Sequence, residues 1–255
     1  MYILVTKEVS KQFGGIKAVE GVSFKISNNS IASIIGPNGA GKTTLFNCLT
    51  GITKPSTGQI YFRERDISGL PPHKVAHLGI ARTFQNIRLF SDMTVIENVM
   101  IAQHTRIRYG LLGAILRGRQ FKLREAAIRE KAYEFLALAG LEDHADTYAG
   151  ELPYGSQRRL EIARALATEP EILLLDEPTA GMNPSETRDV MSMIKTIQLL
   201  GKTIILIEHD MRLVMGISDW IVVLDHGVKI AEGTPDAVKN DTLVIEAYLG
   251  KETNH

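Results

Sequence analysis

The sequence predicts an α/β fold with a mainly parallel sheet into which a helical segment is inserted. Two patterns carry this prediction. Short apolar runs that are typical of buried strands alternate with helix-forming segments in the first and last parts of the chain, as in strands joined by helical crossovers. Between them, at about 88–165, the composition shifts to helix formers. A chain of 255 residues can bury a sizeable core in one such domain.

The elements before the insertion follow this alternation. A loop around Phe13-Gly14-Gly15 separates the first two strands, and turn residues at 55–57 precede the fourth. Predicted strands cover 2–6, 21–26, 31–35, 58–62 and 80–84, the last ending at Gln85, and a helix covers 42–50.

The inserted segment begins with a capping box. Thr94 and Glu97 have the spacing at which two side chains satisfy the first N–H groups of a helix, which we predict to run to about His104. Two further helices are predicted, at 120–139, closed by Gly140, and from near Ser156 to Thr168.

The α/β pattern resumes after the insertion. Asn183 can cap a helix whose first turn accepts Pro184 and which ends before Gly201. Strands are predicted at 172–175, 203–207, 220–224 and 228–231, and the last helices start at Thr234-Pro235.

Composition narrows the functional classes. Lysine plus arginine and aspartate plus glutamate both total 29, so the chain has no overall positive charge to attract nucleic acid. The single cysteine, Cys48, suits a reducing compartment and occupies an apolar helix position typical of the core. The first residues lack the pattern of a secretory signal, and no apolar run approaches the length that spans a bilayer. We expect a soluble or peripheral protein.

A glycine-rich loop lies between the strand at 31–35 and the helix at 42–50. Its letters match the phosphate-binding P-loop, G-x-x-x-x-G-K-[ST]. Backbone N–H groups of such a loop bind phosphate oxygens, Lys42 reaches the β- and γ-phosphates, and the Thr43 hydroxyl is placed to ligate Mg²⁺. The predicted nucleotide-binding residues of the loop are Gly36, Asn38, Gly39, Ala40, Gly41, Lys42, Thr43 and Thr44.

Polar residues at three other strand ends extend the candidate site. Asp176 and Glu177 follow an apolar strand, where one carboxylate can hold Mg²⁺ and its neighbour can accept a proton from the attacking water. Gln85 could contact Mg²⁺ or that water, or be an ordinary loop residue. His209 could bond the γ-phosphate, or be a polar residue at a strand end. The other histidines show no metal-ligand spacing.

The order of these motifs resembles an ATP-binding-cassette (ABC) ATPase over essentially the whole chain. The deciding addition is 152–156, Leu-Pro-Tyr-Gly-Ser, which lies between Gln85 and the strand before Asp176 and resembles the signature loop of that family. The resemblance implies a P-loop NTPase core with an N-terminal antiparallel β subdomain, formed by 1–87 and 166–255. It implies an α-helical signature subdomain at 88–165, and ATP with Mg²⁺ as the ligands.

The resemblance also implies roles for single residues. In this family two cassettes face each other head to tail, and each ATP lies between the P-loop of one and the signature loop of the other. One cassette in this chain therefore implies a dimer with itself or with a sister subunit. By this resemblance Phe13 stacks on adenine, Gln85 is the Q-loop residue, and 180–183 form the D-loop. Gly155 and Ser156 make the contacts of the signature loop. The implied catalytic residues are Lys42, Glu177 and the switch histidine His209, and the implied Mg²⁺ ligands are Thr43, Gln85 and Asp176.

Two departures from the family pattern bear on the chemistry of the composite site. The signature is typically Leu-Ser-Gly-Gly-Gln, and here Pro153 replaces the serine that contacts the γ-phosphate. Proline also lacks a backbone N–H. The D-loop usually ends in Asp and here ends in Asn183. Both changes affect the composite site that uses this signature loop, so the two sites of the dimer could differ in rate.

A narrower resemblance is to the cassettes of branched-chain amino acid importers. It rests on 47–51, 81–85, 93–98, 207–211 and 247–250. It implies a prokaryotic importer of leucine, isoleucine and valine, with this chain on the cytoplasmic face of the inner membrane. The implied partners are two membrane permease subunits, a second cassette and an extracytoplasmic binding protein. Cassettes for urea or amide uptake, or for lipopolysaccharide extraction, share the spacing and stay open as alternatives.

Two other classes of function are also open. A non-transport cassette would act on nucleic acid or ribosomes, but such proteins usually carry two cassettes or long coiled-coil or zinc insertions, which this sequence lacks. A regulatory module that binds nucleotide without turnover would not need both Glu177 and His209. The sequence therefore favours a transport ATPase.

The stretch 105–131 combines basic residues with an apolar run at 111–116. One interpretation is a solvated face over a small local core. The other is contact with a membrane subunit or with anionic headgroups. The basic residues are Arg106, Arg108, Arg117, Arg119, Lys122, Arg124, Arg129 and Lys131.

Overall fold

The computed structural model describes residues 1–103 and 119–249. Its contacts divide the chain into two compact units. We call them the core unit, formed by Met1–Arg82, Glu171–Ala180 and the residues from Ile197 onward, and the helical unit, formed by Thr83–Pro170 and Gly181–Thr196. The subdomain boundaries at 88 and 165 stay a prediction.

The described residues form the following strands and α-helices. The strands are β1 (Tyr2–Phe13), β2 (Ile16–Ser27), β3 (Ile31–Ile35), β4 (Thr57–Phe62), β5 (Arg65–Asp66), β6 (Ile80–Arg82), β7 (Ile172–Asp176), β8 (Thr203–Ile207), β9 (Trp220–Asp225) and β10 (Val228–Gly233). The helices are α1 (Lys42–Leu49), α2 (Pro72–Leu78), α3 (Val95–Gln103), α4 (Arg119–Ala139), α5 (Tyr154–Leu166), α6 (Pro184–Leu199), α7 (Met211–Ile217), α8 (Pro235–Lys239) and α9 (Thr242–Leu249).

The main sheet of the core unit has six strands in the order β10-β9-β3-β8-β7-β6. All neighbours are parallel except β10, which is antiparallel to β9. Every residue of β3, β7 and β8 is buried, as expected for parallel strands that are covered on both faces. Ile207 of β8 pairs with Ile34 on one side and with Asp176 on the other. The P-loop, Glu177 and His209 therefore leave the sheet at the same edge.

The second sheet is antiparallel, with the order β2-β1-β4-β5. Its first two strands are much longer than the predicted 2–6 and 21–26, and they meet at a turn through Gly14 and Gly15. The prediction stopped early because charged residues such as Lys7 and Glu8 interrupt the apolar pattern. One face of an antiparallel sheet is commonly solvated, and the register shifts along this hairpin let polar residues stay outside.

The helical unit contains α3, α4 and α5, and it confirms the capping box. The Thr94 backbone N–H donates to Glu97 Oε2 at 2.8 Å, and the Glu97 N–H donates to Thr94 Oγ1 at 3.3 Å. These bonds lower the pKa of the Glu97 carboxyl, because they favour its charged form. Gly140 follows α4 with φ 61°, as predicted for a helix stop.

Two predicted boundaries are wrong in this region. The strand predicted at 80–84 ends at Arg82, where pairing with β7 stops. The helix predicted from Ser156 to Thr168 runs from Tyr154 to Leu166 instead. Pro153 takes the extended N-cap position of this helix, so the first turn begins directly after it.

Candidate nucleotide-binding site

The P-loop connects β3 to α1 in a conformation that only glycine tolerates at two positions. Gly36 and Gly41 have φ 150° and 94°. A Cβ atom on Gly36 would lie 2.0 Å from the carbonyl oxygen of Leu224, and one on Gly41 would lie 2.3 Å from that of Ala18. Backbone atoms of neighbouring strands cannot move aside, so the loop is held against the sheet. Steric contact with backbone carbonyls therefore explains why this chain has glycine at these two positions of the motif.

Lys42 begins α1 and is buried in the loop, with 7% of its surface exposed. Its Nζ donates to the carbonyl oxygens of Gly36 at 2.8 Å and Pro37 at 2.9 Å. The ammonium group is thus located within the loop itself. Thr43 is exposed and Thr44 is partly exposed at the start of the helix, where the helix dipole favours negative charge.

Asp176 ends β7 and is almost fully buried. Its Oδ2 lies 2.7 Å from Arg82 Nη2, and both side chains are more than nine-tenths buried. Arg82 also donates to Asn47 Oδ1 on α1 at 2.6 Å, and its guanidinium lies 5.5 Å from the ring centroid of Phe46. The arginine therefore links the P-loop helix to the carboxylate predicted to hold Mg²⁺. The sequence reasoning did not single out this residue.

Glu177 and His209 form a close pair. His209 Nε2 lies 2.7 Å from Glu177 Oε1, with the histidine half-exposed and the glutamate largely buried. Glu177 has a left-handed backbone with φ 49°, and its N–H donates to the Ile207 carbonyl at 2.9 Å. A positive φ is uncommon in residues other than glycine and aspartate-like ones, and such strained positions cluster at functional sites. The structure thus brings together the predicted base and the predicted switch histidine.

A second residue that the sequence reasoning missed is Glu208. It is buried, and its Oε1 accepts hydrogen bonds from the Thr179 hydroxyl at 2.6 Å and the Thr179 N–H at 3.1 Å. Its Oε2 accepts from the His209 N–H at 3.2 Å. Glu208 therefore fixes the turn after β7 to the turn after β8, and with them the two members of the Glu177–His209 pair.

Phe13 and Cys48 lie where the sequence suggested. Phe13 ends β1 at the hairpin tip and is 51% exposed, with Lys11 Nζ 4.8 Å from its ring centroid. Its ring is accessible for stacking, and its role with adenine stays a prediction. Cys48 is a buried member of the apolar core, and burial raises the pKa of its thiol to about 11. It is therefore a packing residue and a poor nucleophile.

Comparison with known proteins decides the family. The model of the ABC transporter family matches residues 19–180. The chain belongs to the ABC transporter family. A second model, described as branched-chain amino acid ATP-binding cassette transporter, matches residues 228–253. The resemblance inferred from the motifs is thereby confirmed.

Curated relatives match this cassette over nearly its whole length. Two of them are named high-affinity branched-chain amino acid transport ATP-binding protein LivG, from Salmonella typhimurium at 48% identity and from Escherichia coli at 47%. A third, from Pseudomonas aeruginosa, has the same description with the name BraF and is 47% identical. In each comparison 98% of this chain and 98% of the relative are covered.

Solved structures of cassettes share the fold. A nucleotide-free ATP-binding cassette from an ABC transporter is 35% identical, with a TM-score of 0.84 over 97% of this chain and 99% of that one. A dimeric cassette in a post-hydrolysis state, bound to ADP and Pi, is 27% identical, with a TM-score of 0.76 over 91% of this chain and 98% of that one. The predicted fold class is confirmed.

The signature loop of this cassette opens α5 in the helical unit. Pro153 is the N-cap, and Gly155 packs so closely on Glu186 that an added Cβ would lie 2.6 Å from its Oε1. The Ser156 hydroxyl accepts a hydrogen bond from Arg159 Nη2 at 3.1 Å. Gly155 and Ser156 thus lie in the first turn of α5, and their contact with a second nucleotide stays a prediction.

The residue that ends the D-loop acts as a helix cap. Asn183 Oδ1 accepts from the backbone N–H groups of Ser185 at 2.9 Å and Glu186 at 3.0 Å. Glu186 Oε2 accepts in return from the Asn183 N–H at 3.1 Å. This reciprocal arrangement confirms Asn183 as the predicted cap of α6.

The proposed Mg²⁺ ligands have suitable chemistry. Thr43 supplies a hydroxyl, Asp176 a carboxylate and Gln85 an amide, and Mg²⁺ prefers such oxygen donors together with phosphates and water. Within 1–103 and 119–249, no cluster of three or more histidine, cysteine, aspartate or glutamate side chains could hold a metal by itself.

Part of the basic stretch lies outside the described residues. The apolar run at 111–116 and Arg106, Arg108 and Arg117 fall there. Arg124 and Lys131 belong to α4, and Arg129 lies 5.8 Å from the ring centroid of Tyr133. The contact of the stretch 105–131 with a membrane or a membrane subunit therefore stays a prediction. Among the helices that the structure describes, none is long and apolar enough to cross a membrane.

Proposed function

We propose that this chain is the ATP-hydrolysing motor subunit of an importer for branched-chain, hydrophobic amino acids. The observation that carries the proposal is the identity of 47–48% over 98% of both chains with proteins named for high-affinity branched-chain amino acid transport. The aligned length of 250 residues extends well beyond the nucleotide-binding motifs.

Hydrolysis depends on positioning and on neutralising the charge around the γ-phosphate. The P-loop N–H groups and Lys42 bind the phosphates. Mg²⁺, held by Thr43, Asp176 and Gln85, neutralises phosphate charge when it is bound. Glu177 orients the attacking water and accepts its proton, and His209, whose Nε2 lies 2.7 Å from Glu177 Oε1, hydrogen-bonds the γ-phosphate. Phe13 stacks on the adenine.

The partners follow from the same proposal. A second cassette, identical or a sister subunit, completes each ATP site with its signature loop, and the dimeric relative bound to ADP and Pi supports such pairing. Two membrane permease subunits receive the movement, and an extracytoplasmic binding protein delivers the solute. The chain then works as a peripheral subunit on the cytoplasmic face of the inner membrane, and nucleic acid is not a partner.

The alternatives differ in the solute or in turnover. A urea or amide importer and a lipopolysaccharide extractor would use the same ATP site, so only the transported molecule distinguishes them. A nucleotide-binding module without turnover would not lose activity on Glu177→Gln. The Glu177–His209 contact at 2.7 Å favours an active ATPase over such a module.

The test is uptake of labelled leucine in cells that carry this chain as the sole cassette of its kind. We expect Lys42→Ala to abolish leucine uptake and to leave uptake of urea and of a polar amino acid unchanged. Lys239→Ala, an exposed lysine at the end of α8, is the matched control and should transport normally. Leucine uptake that persists in Lys42→Ala cells without a redundant importer would exclude the branched-chain assignment.

A further inference from the structure

Arg158 is a buried cation that the hydrolysis mechanism does not use. Of the described residues it has the largest side chain that is fully buried, at 0% exposure. It lies on α5, one turn after the signature residues Gly155 and Ser156. A charge at such a depth persists only with strong partners. The identity of these partners shows what the residue does.

Two of the partners are backbone carbonyls of the Q-loop. Arg158 Nη1 donates to the Phe84 carbonyl at 2.6 Å, and Nη2 donates to the Gln85 carbonyl at 2.7 Å. Both distances are short, as expected when the donor is charged. The planar guanidinium spans two successive carbonyl groups, which the single ammonium of a lysine could not reproduce.

The third partner is Glu161, on the next turn of the same helix. Its Oε2 accepts from Arg158 Nη1 at 2.8 Å. Its Oε1 faces the backbone N–H groups of Phe84 at 3.5 Å and Arg88 at 3.4 Å. Burial raises the pKa of the Glu161 carboxyl, and the neighbouring Arg158 opposes that shift. The pair thus contacts donors and acceptors on both sides of Gln85.

We propose that Arg158 and Glu161 form a clamp that makes the Q-loop and the signature helix move as one body. This inference rests on the proposed function, in which Gln85 responds to this chain's own nucleotide and the signature loop contacts the nucleotide of the second cassette. The clamp then transmits the nucleotide state of one ATP site to the other. Arg158 and Glu161 are positioning residues, since they act through Gln85 and through the signature helix.

A purely structural role predicts a different outcome. A polar pair that only stabilises the helical unit would lower thermal stability and leave the communication between the ATP sites intact in the folded protein. A clamp makes the cooperativity of hydrolysis depend on Arg158, and leaves ATP binding by the P-loop unchanged. Measuring both the cooperativity of hydrolysis and the affinity for ATP therefore distinguishes the clamp from a purely structural pair.

The experiment uses the full complex with its membrane subunits and second cassette. We compare Arg158→Lys, Arg158→Met and Glu161→Gln with Arg188→Met, an exposed arginine on α6 of the same unit. Thermal unfolding establishes that each variant is folded. ATP binding to the chain is measured with Mg²⁺-ATP, and the ATPase is measured against ATP concentration with and without the loaded binding protein.

We expect the three clamp variants to bind ATP with an affinity within about twofold of the parent chain. The Hill coefficient should fall towards one, and stimulation by the binding protein should drop about fivefold or more, the smallest change typical of allosteric coupling. Arg158→Lys and Glu161→Gln keep the size of the side chain, so they carry the test if Arg158→Met fails to fold. Cooperativity equal to that of Arg188→Met in the folded variants would overturn the clamp.

The same experiment separates this inference from the proposed function. A parent complex that hydrolyses ATP cooperatively but carries no leucine contradicts the proposed solute, and the ATPase readout still decides the clamp. A parent complex that carries leucine while its clamp variants match Arg188→Met contradicts the clamp alone.

Discussion

The P-loop and the signature loop are both short turns that open a helix and are expected to face phosphate, but different atoms constrain them. In the P-loop, Cβ atoms on Gly36 and Gly41 would meet backbone carbonyls at 2.0 and 2.3 Å. In the signature loop, a Cβ on Gly155 would meet the end of the Glu186 side chain at 2.6 Å. A side chain can rotate away, whereas a strand carbonyl cannot.

This difference explains why one motif keeps its letters and the other varies. The P-loop sequence is fixed by its own sheet, so it matches the general pattern in full. The signature loop accommodates Pro153 and Tyr154 because Pro153 has an extended backbone and Tyr154 begins α5, so neither position needs glycine. The chemistry of the P-loop is thus set within this chain, while that of the signature loop depends on what it meets in a second cassette.

Each loop is associated with a buried arginine–carboxylate pair, and the two pairs differ in what their carboxylates contact. Arg82 pairs with Asp176, whose carboxylate is proposed to take part in Mg²⁺ binding. Arg158 pairs with Glu161, whose carboxylate oxygens face that arginine and backbone N–H groups. The first pair is therefore proposed to support the reacting centre, and the second to couple the movement of the Q-loop to that of the signature helix.

The largest effect is expected at Glu177, the carboxylate that is proposed to be the catalytic base. Glu177→Gln should lower turnover by about 10²- to 10⁴-fold, because the amide cannot accept the proton of the attacking water. ATP binding should persist, since Lys42 and the loop N–H groups are unchanged. ATPase rates and Mg²⁺-ATP affinity check this, with Glu64→Gln as an exposed control in the same unit. Turnover close to that of the control would show that Glu177 is not the base.

Breaking the pair behind the P-loop should cost stability. Arg82→Met leaves Asp176 buried without its counter-ion, which typically costs about 3–5 kcal/mol of unfolding free energy. Adding Asp176→Asn should recover part of this loss, with a coupling of about 1–3 kcal/mol in the double-mutant cycle. Urea unfolding of the four proteins measures it. Strictly additive losses would mean that the 2.7 Å contact contributes nothing of its own.

Glycine substitutions test the comparison of the two loops directly. Gly41→Ala forces a left-handed residue against the Ala18 carbonyl and should weaken ATP binding about 5- to 150-fold, equivalent to 1–3 kcal/mol of strain. Gly155→Ala should leave ATP binding to the isolated chain unchanged, because the signature loop is expected to contact the nucleotide of a second cassette. It should also lower the unfolding free energy less than Gly41→Ala does, because Glu186 can rotate. Calorimetric titration with Mg²⁺-ATP measures the affinities, and urea unfolding measures the stabilities. An equal loss of unfolding free energy in the two variants would contradict the steric distinction.

The sequence predicted those site residues whose positions follow from neighbouring residues in the chain. Lys42 and the P-loop glycines lie within eight residues, and Asp176 and Glu177 directly follow their strand, so the pattern itself carries the information. The contacts of Arg82 and Arg158 were not predicted because the residues they bind are distant in the sequence. Asp176 lies 94 residues from Arg82, and Phe84 and Gln85 lie 74 and 73 residues from Arg158. An arginine in an otherwise apolar strand, as at Arg82, was the one available signal. The two strands of the β1–β2 hairpin were predicted too short because their polar residues are accommodated by register shifts that no local pattern encodes.

The smallest effect is expected at the residue that departs most visibly from the family signature. Pro153 is the N-cap of α5, and its ring offers no acceptor to the first N–H groups of the helix. Pro153→Ser supplies a hydroxyl there and should stabilise the isolated chain by about 0.5–1 kcal/mol. Pro153→Ala removes the ring without adding the hydroxyl and is the matched control, and urea unfolding compares the two. The same hydroxyl is expected to contact phosphate in the dimer, so turnover of the complex should rise by about two- to threefold, equivalent to about 0.5 kcal/mol, the lower end of the net contribution of a hydrogen bond. A fall in turnover together with the gain in stability would show that the hydroxyl caps the helix in competition with the phosphate, and that proline keeps those N–H groups available to the nucleotide.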